Sequence, residues 1–253
     1  IFSVVKTMND GLKLQKDLEA LQKYCDESSL FLNLKKCNFM RLTKNITKTV
    51  ECVYKLGNTE LEQLSVVKDL GVYFDKKLSF SNHVEHIVND ANRTLGFISR
   101  SCREFRNPRT LLSLYYAYVH NKLMYASVVW NPSYSIHINR IERVQHRFLR
   151  MLSYKIGQPI TDRNYTPIMR MFKIIPLKDR RTISDICCIY KLSSGLFDCQ
   201  DLLTCLNFNA PERNFRNNQL FRTPFRRTNI GTNSPLIRAQ KNHNNFCDID
   251  LFN

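Results

Sequence analysis

The spacing of apolar residues changes near residue 80, and this change constrains the fold more than any other feature of the sequence. Residues 66–74 are dense in β-branched and aromatic side chains and predict a β-strand. After residue 80, apolar residues recur every three or four positions, which is the period of an amphipathic α-helix. The sequence therefore predicts an α+β fold that is mostly helical, with its strands confined to the first eighty residues.

The first eighty residues predict one helix and a small antiparallel sheet. The helix has a candidate cap at Asn9 or Asp10 and places Leu14, Leu18 and Leu21 on one face. Extended segments are expected at residues 1–5, 37–42, 50–56 and 66–74.

Four helices are predicted in the remainder of the chain. The first begins at Ser81 or Asn82, and the second follows the Asn107-Pro108 pair, which suits a cap and a first-turn proline. The other two cover residues 138–152 and 177–192. Residues 207–253 are rich in Asn and Arg, keep no steady period and are predicted to form a largely irregular tail.

The charge of the chain favours a polyanionic partner. Its 38 Lys and Arg residues exceed its 22 Asp and Glu residues and give a formal net charge of +16. Residues 84–253 carry +13 of this charge, with 19 Arg and 6 Lys. Arginine presents a planar fork that suits phosphate, so we expect nucleic acid as the partner ahead of a membrane surface. The sequence also contains no apolar run of the length that a membrane helix needs.

Two groups of arginines are the candidate nucleic-acid contacts. Arg140, Arg143, Arg147 and Arg150 fall at helical spacing and predict a basic stripe that could follow successive phosphates. The alternative is a solvated helix face. The second group lies at the junction of two predicted helices and consists of Arg100, Arg103, Arg106 and Arg109. The Arg180-Arg181 and Arg226-Arg227 pairs are weaker candidates, because either could be a solubilising patch.

No catalytic or metal site is predicted from the residues themselves. The nine cysteines are odd in number and include no C-x-x-C pair. They indicate reduced thiols in an intracellular protein, cytoplasmic or nuclear, rather than a disulfide framework. His243 with Cys247 is spaced like half a zinc site, Asp248 with Asp250 forms a D-x-D, and His83 with His86 lacks a nearby carboxylate. We therefore expect neither a metal nor another cofactor in this chain.

Several segments carry a family resemblance. They include the runs NDGLKLQKDLEALQKYCDESSLFLNLKKCNFMRLTK, YKLGNTELEQLSVVKDLGVYFDKKLSFSNHVEHIV, LMYASVVWNPSY, INRIERVQHRFLRML, PLKDRRTISDICCIYKLSSG and SPLIRAQKNHNNF. Together they resemble the reverse transcriptases of insect non-LTR retrotransposons of the jockey-like group. The likeness extends over essentially the whole chain and is most specific from about residue 68 to residue 152.

The resemblance implies a division into four parts. Residues 1–80 would be the end of the polymerase palm, residues 81–153 a helical thumb, residues 154–206 a helical extension and residues 207–253 the tail. The catalytic aspartates of such enzymes precede a strand like IFSVV, so they and the fingers are expected upstream of Ile1. Mg²⁺ would accordingly be a cofactor of the complete enzyme only.

The same resemblance assigns roles to three residues. Lys36, in the stretch Asn33-Leu34-Lys35-Lys36, matches a lysine thought to assist departure of pyrophosphate. The alternative is a lysine in solvent at the start of a strand. Leu70 and Gly71 match the primer-grip hairpin, where a glycine permits close backbone approach to nucleic acid. A turn or bulge glycine is the alternative for Gly71.

The expected function is a share in RNA-directed DNA synthesis. The chain would bind an RNA template or an RNA–DNA hybrid by phosphate contacts, would need the upstream palm and fingers as partners, and would not polymerise alone. Two alternatives remain open: a stand-alone basic module that binds RNA or an RNA–DNA duplex, and a pseudogene remnant that does not fold stably.

Overall fold

The computed structural model describes residues 1–43, 50–105, 107–209 and 219–246. The chain divides into two compact units, Ile1–Ser79 and Phe80–Asn253. It is mostly helical with a small amount of β-structure, so the predicted α+β class is confirmed. All six strands of the described residues lie in the first unit.

The described residues of the first unit form one long helix, one 3₁₀ turn and six short strands. Helix α1 spans Met8–Glu27, and the 3₁₀ turn spans Leu34–Lys36. The strands are β1 (Asn38–Phe39), β2 (Lys55–Leu56), β3 (Thr59–Glu60), β4 (Glu62–Gln63), β5 (Val66–Asp69) and β6 (Val72–Asp75). β1 pairs with β4 in parallel, whereas β2 with β3 and β5 with β6 are antiparallel pairs.

The start of the first unit differs from the prediction in two places. The cap of α1 is Thr7 rather than Asn9 or Asp10: the Thr7 side chain accepts from the backbone N–H of Asp10, and the Asp10 carboxylate accepts from the N–H of Thr7. Residues 1–5 form no strand, and Phe2 and Val4 are exposed. Apolar side chains alone do not make a strand, because a strand also needs a partner for its backbone hydrogen bonds.

The predicted strand at residues 66–74 is instead a β-hairpin. β5 and β6 pair from Val66 opposite Asp75 to Asp69 opposite Val72. Leu70 and Gly71 form the two-residue turn, with φ angles of 43° and 85°. Positive φ at both central residues is the geometry that matches the twist of a tight hairpin. The prediction from composition failed because the β-rich composition continues across the turn and only Gly71 marks it, whereas the family resemblance had implied a hairpin at Leu70 and Gly71.

The second unit contains the remaining helices of the part of the chain that the structure describes. They are α2 (Ser81–Ser101), α3 (Pro108–Leu114), a π-helical segment (Tyr115–His120), α4 (Asn121–Met124), α5 (Ser127–Trp130), α6 (Ser135–Lys155), α7 (Thr166–Met171), α8 (Leu177–Ser193), α9 (Gln200–Thr204), α10 (Asn229–Thr232) and α11 (Pro235–Asn244). None of the helices in the described ranges of the chain is long and apolar enough to cross a membrane.

Helices α2 and α6 form the centre of this unit. Each buries one apolar stripe, led by Val84 and Ala91 on α2 and by Ile141 and Phe148 on α6, all of which are fully buried. These stripes follow the predicted spacing of three and four residues. The Phe148 ring also stacks on Tyr115, with ring centroids 4.0 Å apart, which joins α6 to the π-helical segment.

The helix after Asn107 begins as predicted and then changes its hydrogen bonding. The Asn107 side chain accepts from the backbone N–H of Arg109 at 2.9 Å, and Pro108 occupies the first turn. From Tyr115 the chain is π-helical, and this wider turn alters which side chains point inward. Tyr118, three residues after the buried Tyr115, is 57% exposed, whereas His120 is buried.

The predicted irregular tail contains an ordered helix. α11 buries Ile237 and Ala239, and Ala239 belongs to a hydrophobic cluster with Ile189 and Leu192 of α8 and with Phe221. Its polar residues obscured this helix in the sequence, because its apolar face is only one or two residues wide at each turn.

Candidate nucleic-acid interface

The predicted arginine stripe lies along the outer face of α6. Arg140, Arg143, Arg147 and Arg150 are all exposed, and Ile141, Val144, Phe148 and Leu152 occupy the buried face. A helix rises about 1.5 Å per residue, so the stripe is about 15 Å long. One nucleic-acid strand carries a phosphate charge about every 3.4 Å along the helix axis, so a stripe of this length runs beside about four phosphate intervals.

The acidic residue of α6 does not neutralise this stripe, because it is engaged elsewhere. The two carboxylate oxygens of Glu142 accept the backbone N–H groups of Leu177 at 3.3 Å and Lys178 at 2.6 Å, at the start of α8. Burial raises the pKa of this carboxyl, and the hydrogen bonds and Arg181 oppose the shift. Glu142 therefore caps α8 and does not neutralise the charges of the α6 arginines.

The second arginine cluster contributes one residue, Arg103, to the surface that the α6 arginines form. Arg100, Arg103 and Arg109 are exposed, and Arg106 lies outside the described residues. Arg103, Arg147 and Arg150 line one open cleft of about 720 Å³. The structure thus unites parts of two groups that are more than forty residues apart in the sequence.

Two residues that sequence reasoning missed, Tyr154 and Lys155, also line this cleft. The Lys155 ammonium group donates to the carbonyl oxygen of Arg103, and the Arg147 guanidinium donates to the Asn92 side chain at 2.8 Å. These contacts join α6 to α2 and to the segment after it. Continuation of the helical period to residue 155 was the sequence signal that could have found them.

The three residues assigned by resemblance belong to the first unit. Lys36 ends the 3₁₀ turn, where its backbone N–H donates to the carbonyl oxygen of Asn33 at 2.9 Å and its side chain is exposed. Leu70 and Gly71 form the exposed turn of the β5–β6 hairpin. Their proposed roles in pyrophosphate departure and primer positioning remain predictions.

Burial removes Arg181, one member of the weaker Arg180-Arg181 candidate pair, from the protein surface. Arg181 is 1% exposed and cannot be a solubilising surface residue. Its Nε donates to the Asn131 side chain at 3.0 Å, and its Nη2 lies 3.7 Å from a Glu142 carboxylate oxygen. Burial lowers the pKa of its guanidinium, and Glu142 and Asp185 oppose the shift. Arg181 is therefore part of a buried polar network.

Asp185 is the acceptor at the centre of that network. Its carboxylate is fully buried and pairs with Arg238 of α11, with nitrogen–oxygen distances of 2.9 and 3.1 Å. It also accepts from the side-chain amides of Asn131 at 3.2 Å and Asn242 at 2.9 Å. These residues come from the WNPSY, DRRTISD and RAQKN segments, so part of the sequence pattern that carries the resemblance serves to hold the second unit together.

Two of the candidate metal ligands, His83 and His243, lie in aromatic contacts. His83 packs against Trp130 and His243 against Phe221, with ring centroids 5.0 and 5.3 Å apart, and both histidines are buried. Cys247, Asp248 and Asp250 lie outside the described residues. In the part of the chain that the structure describes, no three His, Cys, Asp or Glu residues form a group that could hold a metal ion. The eight described cysteines are free thiols.

Comparison with known proteins gives one distant relative. An uncharacterized protein of Caenorhabditis elegans is 24% identical over 146 residues, which cover 57% of this chain and 71% of the nematode protein. No family model matches the chain. No solved structure matches it either.

Proposed function

We propose that this protein binds RNA or an RNA–DNA hybrid through phosphate contacts on the arginine face of α6, as the thumb-like part of a reverse transcriptase of the jockey-like non-LTR type. The observation that carries the proposal is the row of four exposed arginines, with the one acidic residue of that helix engaged at α8. Phosphate contacts of this kind position a duplex without reading its sequence.

The resemblance extends this proposal to the remainder of the enzyme. Nucleotidyl transfer would belong to a complete polymerase that supplies Mg²⁺ ligands, with Lys36 assisting pyrophosphate departure and Leu70 and Gly71 positioning the primer. We expect no template-dependent dNTP incorporation by the purified chain in the presence of Mg²⁺. A primer-extension assay that detects such incorporation would contradict this part of the proposal.

Binding itself is tested with the full chain and a fluorescent RNA–DNA hybrid in a salt series. We expect the affinity to fall steeply as salt rises, because each phosphate contact releases counterions. Replacing Arg140 and Arg143 together by Glu should weaken binding and lower the slope of log Kd against log salt by about 2, or about 1 for each lost contact. Fluorescence anisotropy measures both quantities.

The matched control reverses two other exposed arginines of the second unit, Arg163 and Arg170, which lie outside the α6 stripe. This variant has the same net charge as the first, so it separates a local contact from a general electrostatic effect. Equal loss of affinity in both variants would show that the α6 arginines are not the contact site. A wild-type affinity that does not change with salt concentration would refute phosphate contact altogether.

A further inference from the structure

The cleft beside the arginine stripe differs from a plain basic surface, because it has an apolar floor. This floor consists of Ile98 and Cys102 at the end of α2 and Leu111 of α3, which are buried, and of the partly buried Met151 of α6, whereas the arginines that line the cleft are exposed. Its volume of about 720 Å³ lies within the range of sites that take small organic groups. A site that bound phosphate alone would need no apolar floor.

The rim of the cleft carries four cations and one aromatic ring. Arg103, Arg147, Arg150 and Lys155 supply the charge, and the Tyr154 side chain is 73% exposed. None of the described residues that line the cleft carries a carboxylate. This combination suits a group with a flat apolar part and an anionic part, because the ring can stack and the cations can hold phosphate.

We propose that this cleft binds an unpaired nucleotide of a single-stranded segment that continues from the duplex on α6. This inference rests on the proposed function and adds a preference for single-stranded over blunt nucleic acid. Paired bases are stacked inside a duplex and present only their phosphates to a protein surface, whereas an unpaired base can turn out and contact an aromatic ring. The base would stack on Tyr154 above the apolar floor, and its flanking phosphates would meet Arg103, Arg150 and Lys155.

The test compares a blunt RNA–DNA hybrid with the same hybrid carrying a four-nucleotide single-stranded RNA overhang. The full chain should bind the overhang substrate roughly fivefold more tightly or better, which is the gain from one stacked base. Tyr154→Ala should abolish this difference between the two substrates, because the substitution removes the stacking ring and no charge. Fluorescence anisotropy at one fixed salt concentration gives all four dissociation constants.

Tyr118→Ala is the matched control, because Tyr118 is exposed at 57% and does not line the cleft. It should keep the overhang preference. Equal wild-type affinities for the two substrates, or equal weakening of both by Tyr154→Ala, would overturn the cleft proposal while leaving duplex binding by α6 intact. Failure to bind either substrate would instead overturn the proposed function. Poly-glutamate that competes as well as the single-stranded RNA would show an unspecific anion site and refute a nucleotide site.

Discussion

Asp185 shows how one residue can determine the packing of several helices. Its buried carboxylate is held by the guanidinium of Arg238 and by the side-chain amides of Asn131 and Asn242. Charges taken out of water are tolerated only where partners compensate for the lost hydration. The partners come from two other places in the chain, the segment at Asn131 and helix α11, so the native arrangement of these segments depends on this carboxylate.

We predict that Asp185→Ala lowers the free energy of unfolding by about 3–5 kcal/mol, because Arg238 would lose its buried counter-charge. Urea denaturation followed by the fluorescence of Trp130, the only tryptophan of the chain, measures the change. Asp198→Ala removes an exposed carboxylate from the same unit and should change the stability by less than about 1 kcal/mol. A similar loss in both variants would contradict the role given to Asp185.

Two buried histidines predict a pH dependence of stability. Burial lowers the pKa of His83 and of His120 to about 4, below the ordinary value of 6.5. The unfolded chain therefore binds protons first as the pH falls. The free energy of unfolding should drop from about pH 6.5 to about pH 4 and level off below, with each histidine contributing up to about 3 kcal/mol.

The measurement is the urea midpoint at pH 7.5 and pH 5, followed by circular dichroism, for the wild type and the His83→Gln/His120→Gln double variant. The double variant should lose much of the difference between the two pH values, because glutamine does not titrate in this range. His86→Gln, which replaces an exposed histidine, should keep that difference. A double variant as sensitive to pH as the wild type would show that the two histidines do not cause the effect.

At the scale of elements, the β5–β6 hairpin contains a local conflict between sequence and geometry. Its turn requires positive φ at Leu70 and Gly71, and Leu70 is 84% exposed with a φ of 43°. Glycine accepts this conformation readily, whereas a residue such as leucine is strained in it. Asparagine tolerates it better, which is why Asn-Gly is preferred in such turns.

We therefore predict that Leu70→Asn raises the stability of the hairpin by about 0.5–1 kcal/mol and that Gly71→Ala lowers it by more than about 1 kcal/mol. Hydrogen exchange of the β5 and β6 amides measures both changes. Ser65→Asn introduces the same side chain at an exposed position just before the hairpin and should have little effect. Slower exchange in Gly71→Ala than in the wild type would refute the turn geometry.

At the scale of the whole molecule, the two units differ in how much they bury. Among the residues described before residue 80, the buried hydrophobic side chains are Cys25, Cys52, Tyr54, Leu56 and Val72. The second unit buries a much larger set, including Trp130, Tyr115 and Phe148. Burial of apolar surface is the main favourable term in folding, so the first unit should be the less stable of the two.

We predict that α1 amides exchange with solvent at least about tenfold faster than the α2 and α6 amides, because local opening of the first unit costs less free energy. Hydrogen–deuterium exchange of the full chain, read by mass spectrometry, gives both rates in one experiment. Equal protection of α1 and α6 would show that the two units unfold as one. A chain without protected amides in either unit would support the pseudogene alternative.

The sequence by itself determined the α+β class and the positions of the long helices, because apolar spacing depends on which face of an element is buried. It also located the arginines of α6 on one face. Its periodicity did not determine the hairpin at Leu70-Gly71, which only the family resemblance implied, or the helix Pro235–Asn244, because the local patterns of both are weak. The residues at which the elements end depend on hydrogen bonds that cannot be inferred from composition.

Only the tertiary structure decided which arginines are exposed to solvent. Arg143 and Arg181 look alike in the sequence, yet one is exposed on α6 and the other is 1% exposed beside Glu142 and Asn131. The cleft likewise exists only because α2 and α6 bring Arg103 close to Arg150. The physical reason is the same in both cases: the environment of a long charged side chain depends on partners that are distant in the sequence.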